Sequence, residues 1–393
     1  MSASSPSSDS RRFWLRTAVL GFVVACGLGA AHFMEEHGHV VTGMTNRIVW
    51  GLPHVFAIFM IVAASGVLNV ASVGSVFGKP EYKARAPLSG LLCIALLAGG
   101  LAVLMLDLGR PERMIVAATH YNFTSVFAWN VFLYTGMFAI VAVYLWTLME
   151  RRMHVHSRRA GLAAFAWRVI LTTGTGAIFA FLVARQAYAS ALLPPLFILM
   201  SFAWGLAVFL VVQAVVYRDG NRAVPADVLL RMRRLLGLFV MSALYFTLVF
   251  YLTSAYFAKQ SAFVQFLLVH GGPYPWLFWG GYVLLGSLLP IALVYHPRST
   301  GNAPVVAAAL CTIAGAFAFL YVFIIGGQAW PLEIFPGYAV TSSAGDGTIA
   351  PYTPRLPEWL LGIGGIAIAL AIATVGLRIL PFAPAADPQA GGD

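Results

Sequence analysis

Ten stretches of the chain are each long enough and apolar enough to cross a membrane, and this pattern restricts the fold more than any other feature. A hydrocarbon core about 30 Å thick takes about 20 helical residues, and inside it only helices or closed barrels satisfy their own backbone. The runs lie near 15–34, 52–77, 87–106, 124–148, 165–190, 194–216, 235–257, 276–295, 303–325 and 358–380. With 60% hydrophobic and 10% charged residues, the 393-residue chain has no charged shell to keep it in water. Soluble enzymes, disordered scaffolds and nucleic-acid binders are therefore excluded, and the net charge of +10 needs another explanation.

That explanation is topology, because basic residues resist translocation while acids contribute little. With the N-terminus inside, eighteen of the 24 Lys and Arg, Arg168 among them, fall on inner segments. Only Arg47, Arg110, Arg113, Lys259 and Arg355 fall outside, and Arg185 is left within a span. Both termini are thus expected in the cytoplasm, with anionic lipid as the incidental partner of the basic rim. The opening Ser10-Arg11-Arg12-Phe13 has a faint likeness to a twin-arginine export signal, but the apolar run behind it is too long for a signal core and is expected to stay as a helix.

Ionisable groups at membrane depth are costly unless paired, so they mark where function is expected. His54 opens the second span, Asp107 closes the third, and Arg185 is placed about one turn before the end of the fifth. The fourth span opens with His120-Tyr121-Asn122-Phe123-Thr124-Ser125, then Trp129 and Asn130. All share one depth near the outer leaflet, so a bundle of spans two to five would gather His54, Asp107, Asn122, Ser125, Trp129 and Arg185 around a polar pocket. An arginine there needs a carboxylate or a polar ligand, and Asp107 is the candidate, unless Asp107 serves only the turn Leu108 to Glu112. Asn130, Gln213 and Ser201 are expected as inter-helix hydrogen bonds.

Cys26, Cys93 and Cys311 stand alone in apolar runs, so this chain is expected to hold no iron–sulfur cluster, and no facing histidine pair suggests haem. Phosphate loops, nucleophile elbows and H-E-x-x-H are absent. What remains is a recess for a lipid-soluble amphipathic molecule or a transport pathway. A quinone head suits the recess, since its carbonyls need hydrogen-bond partners and a group able to exchange protons near neutral pH, as His and Asp can. Two outer segments are long enough to carry contacts: 326–357, with Trp330, Glu333, Phe335, Tyr338 and Tyr352, and 259–276, expected as an interfacial helix.

The run Asp107-Leu108-Gly109-Arg110-Pro111-Glu112-Arg113, with His120 to Ser125 and Trp129-Asn130, resembles the NrfD-type family of polysulfide reductase membrane subunits. Ten spans, His270-Gly271-Gly272-Pro273-Tyr274 and the closing Gly376 to Pro381 resemble its longer subgroup, which includes the hydrogenase-2 cytochrome-b-type subunit and DsrP-type subunits. The likeness covers most of 45–381.

The resemblance implies an all-α integral membrane protein of about ten helices in two four-helix bundles with flanking helices. Its parts would be a disordered cytoplasmic tail (1–14), a flanking helix (15–34), a first bundle with the quinone site (50–190), a second bundle (194–325), a periplasmic loop (326–357), a last flanking helix (358–380) and a cytoplasmic tail (381–393). It further implies a subunit of a quinone oxidoreductase in the bacterial inner membrane. Electrons would pass between menaquinone or ubiquinone and a periplasmic four-cluster iron–sulfur subunit, with a cytochrome c or catalytic subunit beyond it. In the polysulfide reductase pattern, an Asn and a His on the first bundle helix and a Tyr on the fourth bind the quinone. Here His54 falls near the Asn position, the next turn brings Ile58, and the Tyr position falls near Gly174. His54 and Asp107 would relay protons, Arg185, Asn122, Ser125 and Trp129 would bind quinone, and Arg110, Glu112 and Arg113 would meet the partner. The alternative is a secondary transporter or ion channel, although such proteins usually show inverted repeats and a midplane site, and neither is evident here.

Overall fold

Proline is the first or second residue of five long helices, at Pro53, Pro87, Pro194, Pro273 and Pro357, where its fixed φ suits helix entry and its missing N–H costs nothing. A computed structural model of the chain describes residues 8–76, 78–220, 224–299, 301–332, 338, 347–380 and 382. Among the described residues ten helices are long and apolar enough to cross a membrane. They are α1 (Ser8–His37), α2 (Leu52–Ser75), α3 (Ala86–Leu106), α4 (Val126–Met149), α5 (Ser157–Ala180), α6 (Leu193–Asp219), α7 (Ala226–Tyr256), α8 (Pro273–Tyr295), α9 (Asn302–Ala329) and α10 (Leu356–Ile379). Among the described residues there is no strand.

Helices α2, α3, α4 and α5 close one four-helix bundle, and α6, α7, α8 and α9 a second. The two meet where α2 and α5 pack on α6, and α1 with α10 flanks the first bundle along α2 and α3. This is the architecture the resemblance implied. Helix α2 is the shared spine, with nearly every residue buried from Leu52 to Gly74. At its crossing with α6 the backbones touch: a Cβ added at Gly66 would lie 1.6 Å from the Ser201 carbonyl oxygen, and one added at Gly205 would lie 2.2 Å from the Gly66 carbonyl carbon. No other residue fits at either position.

One end of the bundle carries Arg158 and Arg159 of α5, Arg218 of α6, and Arg231, Arg233 and Arg234 of α7. There Arg16 pairs with Asp219, tying α1 to α6. The opposite end holds His54 and the last turn of α3.

Several boundaries differ from the sequence expectation. Helix α1 already begins at Ser8, inside the stretch expected as tail, while residues 1–7, 381 and 383–393 lie outside the described residues. Helix α5 ends at Ala180 instead of continuing to 190, so Arg185 belongs to the connection 181–192 and not to a span. The apolar run Phe181-Leu182-Val183-Ala184 concealed this end, which is set by tertiary contacts of the connection. The stretch after Lys259 contains the short helix Ala258–Gln265 and a π-helical turn, Phe266–His270. Of the 326–357 excursion, Glu333 and Phe335 lie outside the described residues, whereas Tyr352 folds back onto the first residue of α2.

Candidate functional site

Asp107 is the C-cap of α3 and His54 lies in the first turn of α2, so two helix ends bring an acid and an imidazole together. The His54 Nδ1 stands 2.9 Å from Asp107 Oδ2, and the carboxylate is 1% exposed. The approach lacks the alignment of a directed hydrogen bond, so the contact is best regarded as a close electrostatic pair. His39 reaches the same residue from the loop before α2: its Nε2 is 3.0 Å from the Asp107 carbonyl oxygen and 3.9 Å from Oδ1.

Two recesses meet at this pair. A lipophilic one of about 820 Å³ lies within the first bundle, lined by Ile58, Leu101, Leu104, Asn130, Tyr134 and Phe179 among others. A second, of about 980 Å³, is bounded by His39, Thr42, Asn46, Asp107, Tyr352 and Arg355 among others. Trp50 and His54 line both. The Trp50 ring stacks on the His54 ring at 6.1 Å and meets Phe179 edge-on at 5.6 Å, which fixes the partition between the chambers. With Nδ1 turned to Asp107, Nε2 is the nitrogen left for a ligand.

Asn130 supplies a second polar group to the lipophilic chamber. Its Nδ2 donates to the carbonyls of Val126 (2.9 Å) and Gly174 (3.3 Å), bridging α4 and α5 as the sequence reading expected. Its Oδ1 is buried without a donor, so an acceptor waits in the wall of the recess. Gly174, at the position where the polysulfide reductase pattern has its Tyr, is packed against this side chain, with Asn130 Oδ1 3.3 Å from where a Cβ would stand. Ile58 lines the same recess.

The remaining expected site residues lie elsewhere. Asn122 Oδ1 accepts from the backbone N–H and the hydroxyl of Thr124, closing a local turn. Ser125 caps α4, accepting from the Ala128 N–H. Trp129 donates its indole N–H to the Phe123 carbonyl at 2.8 Å and is 47% exposed. Ser125 is held by a free N–H of the helix it caps, while Asn122 and Trp129 are held by the turn just before that helix, so local hydrogen bonds keep all three out of the recess. Arg185 donates to the carbonyls of Gln328 (3.0 Å) and Arg47 (2.9 Å), not to Asp107, and burial pulls its pKa below the ordinary arginine value. Arg110 and Arg113 stand at the rim of the lipophilic recess, and Glu112 beside them is exposed.

Arg185 and Gln328 together form a brace that sequence reasoning missed. The Gln328 Oε1 accepts from the N–H groups of Val49 (3.1 Å) and Trp50 (3.0 Å), and its Nε2 donates to the Trp50 carbonyl (2.9 Å). Glu358, fully buried, accepts from the N–H groups of Gly43 and Arg355, both at 2.8 Å, and from the Tyr352 hydroxyl. Burial and the Glu358 carboxylate push the Tyr352 hydroxyl well above the usual tyrosine range, so it stays a donor, while accepting from the Leu52 N–H at 2.6 Å. An acid in the first turn of an apolar helix was the available signal for Glu358.

Comparison with known proteins agrees with this architecture. The chain is 30% identical over 96% of its length to the Hdr-like menaquinol oxidoreductase integral membrane subunit of Archaeoglobus fulgidus, covering 95% of that protein. It is 27% identical to a putative dimethyl sulfoxide reductase membrane subunit of Halobacterium salinarum, over 97% of this chain and 95% of that one. Protein NrfD of Escherichia coli is 24% identical over 72% of this chain and 96% of its own. The family model described as polysulphide reductase, NrfD, matches residues 40–331, and the chain belongs to this NrfD family of membrane proteins.

Proposed function

We propose that the chain is the quinone-binding membrane subunit of a respiratory or sulfur-metabolism oxidoreductase in the bacterial inner membrane, exchanging electrons with a periplasmic iron–sulfur subunit. The observation that carries this reading is His54, standing between a lipophilic chamber of about 820 Å³ and a polar one of about 980 Å³, with Asp107 buried behind it. The first volume suits a ring with its proximal isoprenoid units. His54 Nε2 and Asn130 Oδ1 hold opposite sides of the ring, one exchanging a proton and the other accepting from a hydroxyl. A bound quinol supplies two electrons and two protons, whichever of menaquinone or ubiquinone it is.

His54 takes the quinol protons one after the other at Nε2 while Asp107 balances the imidazolium, and each leaves from Nδ1 through Asp107 into the polar chamber that Asp107 itself lines. The greasy chamber excludes water, so the relay is the route for protons. Electrons leave to the partner's clusters, and Arg110, Glu112 and Arg113 at the rim of the quinone chamber form its docking edge. Four clusters belong to the iron–sulfur partner, with a cytochrome c or catalytic subunit beyond it.

The test is photolabelling of the purified complex with an azido-quinone, followed by peptide mapping. Label on α2 and α4, competed by unlabelled quinone, supports the reading. Label confined to α6–α9 refutes it.

A further inference from the structure

Arg168 lies in the middle of α5 and is 1% exposed, although the charge count places it among the arginines of the inner segments. Its guanidinium packs against Phe165, 4.7 Å from the ring centroid, and Phe202, at 5.4 Å. Among the described residues its guanidinium makes no hydrogen bond and no ion pair, and its Nε is buried without an acceptor. A guanidinium remains charged in proteins, and an unpaired charge within a span costs several kcal/mol. Two ring faces offset only part of that.

A separate cavity of about 270 Å³ adjoins it, between α2, α5, α6 and α7, away from the two chambers described above. Its wall includes Arg168, Asn69, Phe202, Leu206, Leu235 and Phe239. Asn69 Nδ2 is also buried without an acceptor. The cavity therefore offers two idle donors, one of them cationic, and, apart from Ser72, whose hydroxyl donates to the Leu68 carbonyl, an aliphatic and aromatic lining. Leu235 directly follows Arg231, Arg233 and Arg234 on α7, and Phe239 is one turn further in, so at 1.5 Å per residue the cavity begins just beneath the basic rim. Tyr82 of the α2–α3 connection bounds it at the rim side.

We propose that this cavity binds the anionic headgroup of an acyl-chain amphiphile, its phosphate or carboxylate accepting from Arg168 and Asn69 and its first methylenes lying against Phe202 and Phe239. The basic rim draws such heads from the leaflet. The site is independent of the quinone reading, because no residue lines both this cavity and either chamber.

The test is titration of the delipidated full-length protein with dioleoylphosphatidylglycerol, oleate and dioleoylphosphatidylcholine, read as thermal stabilisation and as retained adducts in native mass spectrometry. The expected result is stabilisation by an anionic probe, weakened at least tenfold in apparent affinity by Arg168→Gln and by Asn69→Leu, with Arg168→Lys intermediate. Phosphatidylglycerol acting alone identifies a phospholipid, and oleate acting equally well identifies any acyl anion. An unchanged titration in Asn69→Leu and Arg168→Lys, which keep the fold if Arg168→Gln does not, overturns the proposal, as does equal stabilisation by the zwitterionic lipid. The first of these outcomes would mean that water alone serves the two donors.

Discussion

Asp107→Asn isolates the charge of the proposed proton relay from its shape. Asparagine fills the same volume at the end of α3 and leaves the His39 bond to the Asp107 carbonyl in place, but it removes the negative charge 2.9 Å from His54 Nδ1. The charge centres of such a pair are roughly 4 Å apart, and at an effective dielectric constant of about 20 their attraction is about 4 kcal/mol. The amide oxygen's dipole returns about 1 kcal/mol of attraction to the ring, leaving a deficit of about 3 kcal/mol. If the imidazolium is fully formed in the rate-limiting proton transfer, turnover falls about a hundredfold, since each 1.36 kcal/mol is a decade. The assay is oxidation of a short-chain quinol by the intact complex at saturating substrate, with binding of a redox-inert analogue measured alongside. The expected split is a fall in kcat with analogue affinity kept within about threefold. Wild-type turnover in Asp107→Asn refutes the relay, and a loss confined to affinity assigns Asp107 to binding alone.

Three further outcomes follow from the geometry. Asn130→Leu removes the idle acceptor of the recess and lowers quinone-analogue affinity about tenfold, the worth of one buried hydrogen bond, as read by equilibrium binding. Trp129→Phe and Asn122→Ala disturb only the turn before α4, so turnover stays within about twofold of wild type; a hundredfold loss in either would restore them to the pocket. Gln328→Leu leaves the Val49 and Trp50 N–H groups and the Trp50 carbonyl without partners and destabilises the protein by at least about 2 kcal/mol, measured as a lowered thermal midpoint, with analogue affinity falling because Trp50 loosens.

The ten spans and the meeting of His54 with Asp107 were legible because membrane helices announce their length and depth in one-dimensional hydropathy. Two polar residues closing neighbouring helices at one depth have few places to be except together. Arg185 was misjudged for the converse reason. Its helix stops where tertiary contacts stop it, within an apolar run, and its partners are backbone carbonyls that hydropathy cannot register. Arg168 illustrates the same blindness from the other side: the charge count put it with Arg158 and Arg159 on the inner segments, whereas α5 carries it 10 residues past Arg158 and into the protein. Asn122, Ser125 and Trp129 show that polar groups around a helix start are first claimed by local hydrogen bonds, those of the cap and of the turn before it.

The seam at Gly66 and Gly205 bears on how such a machine runs. With main chain pressed to main chain at this crossing, the two halves have no side-chain cushion there on which to rock, and α2 is held in common by both. An alternating-access cycle would have to prise this joint open on every turn. A socket that stays still while only protons, electrons and a greasy carrier come and go needs no such movement, and that is the working style for which this weld is suited.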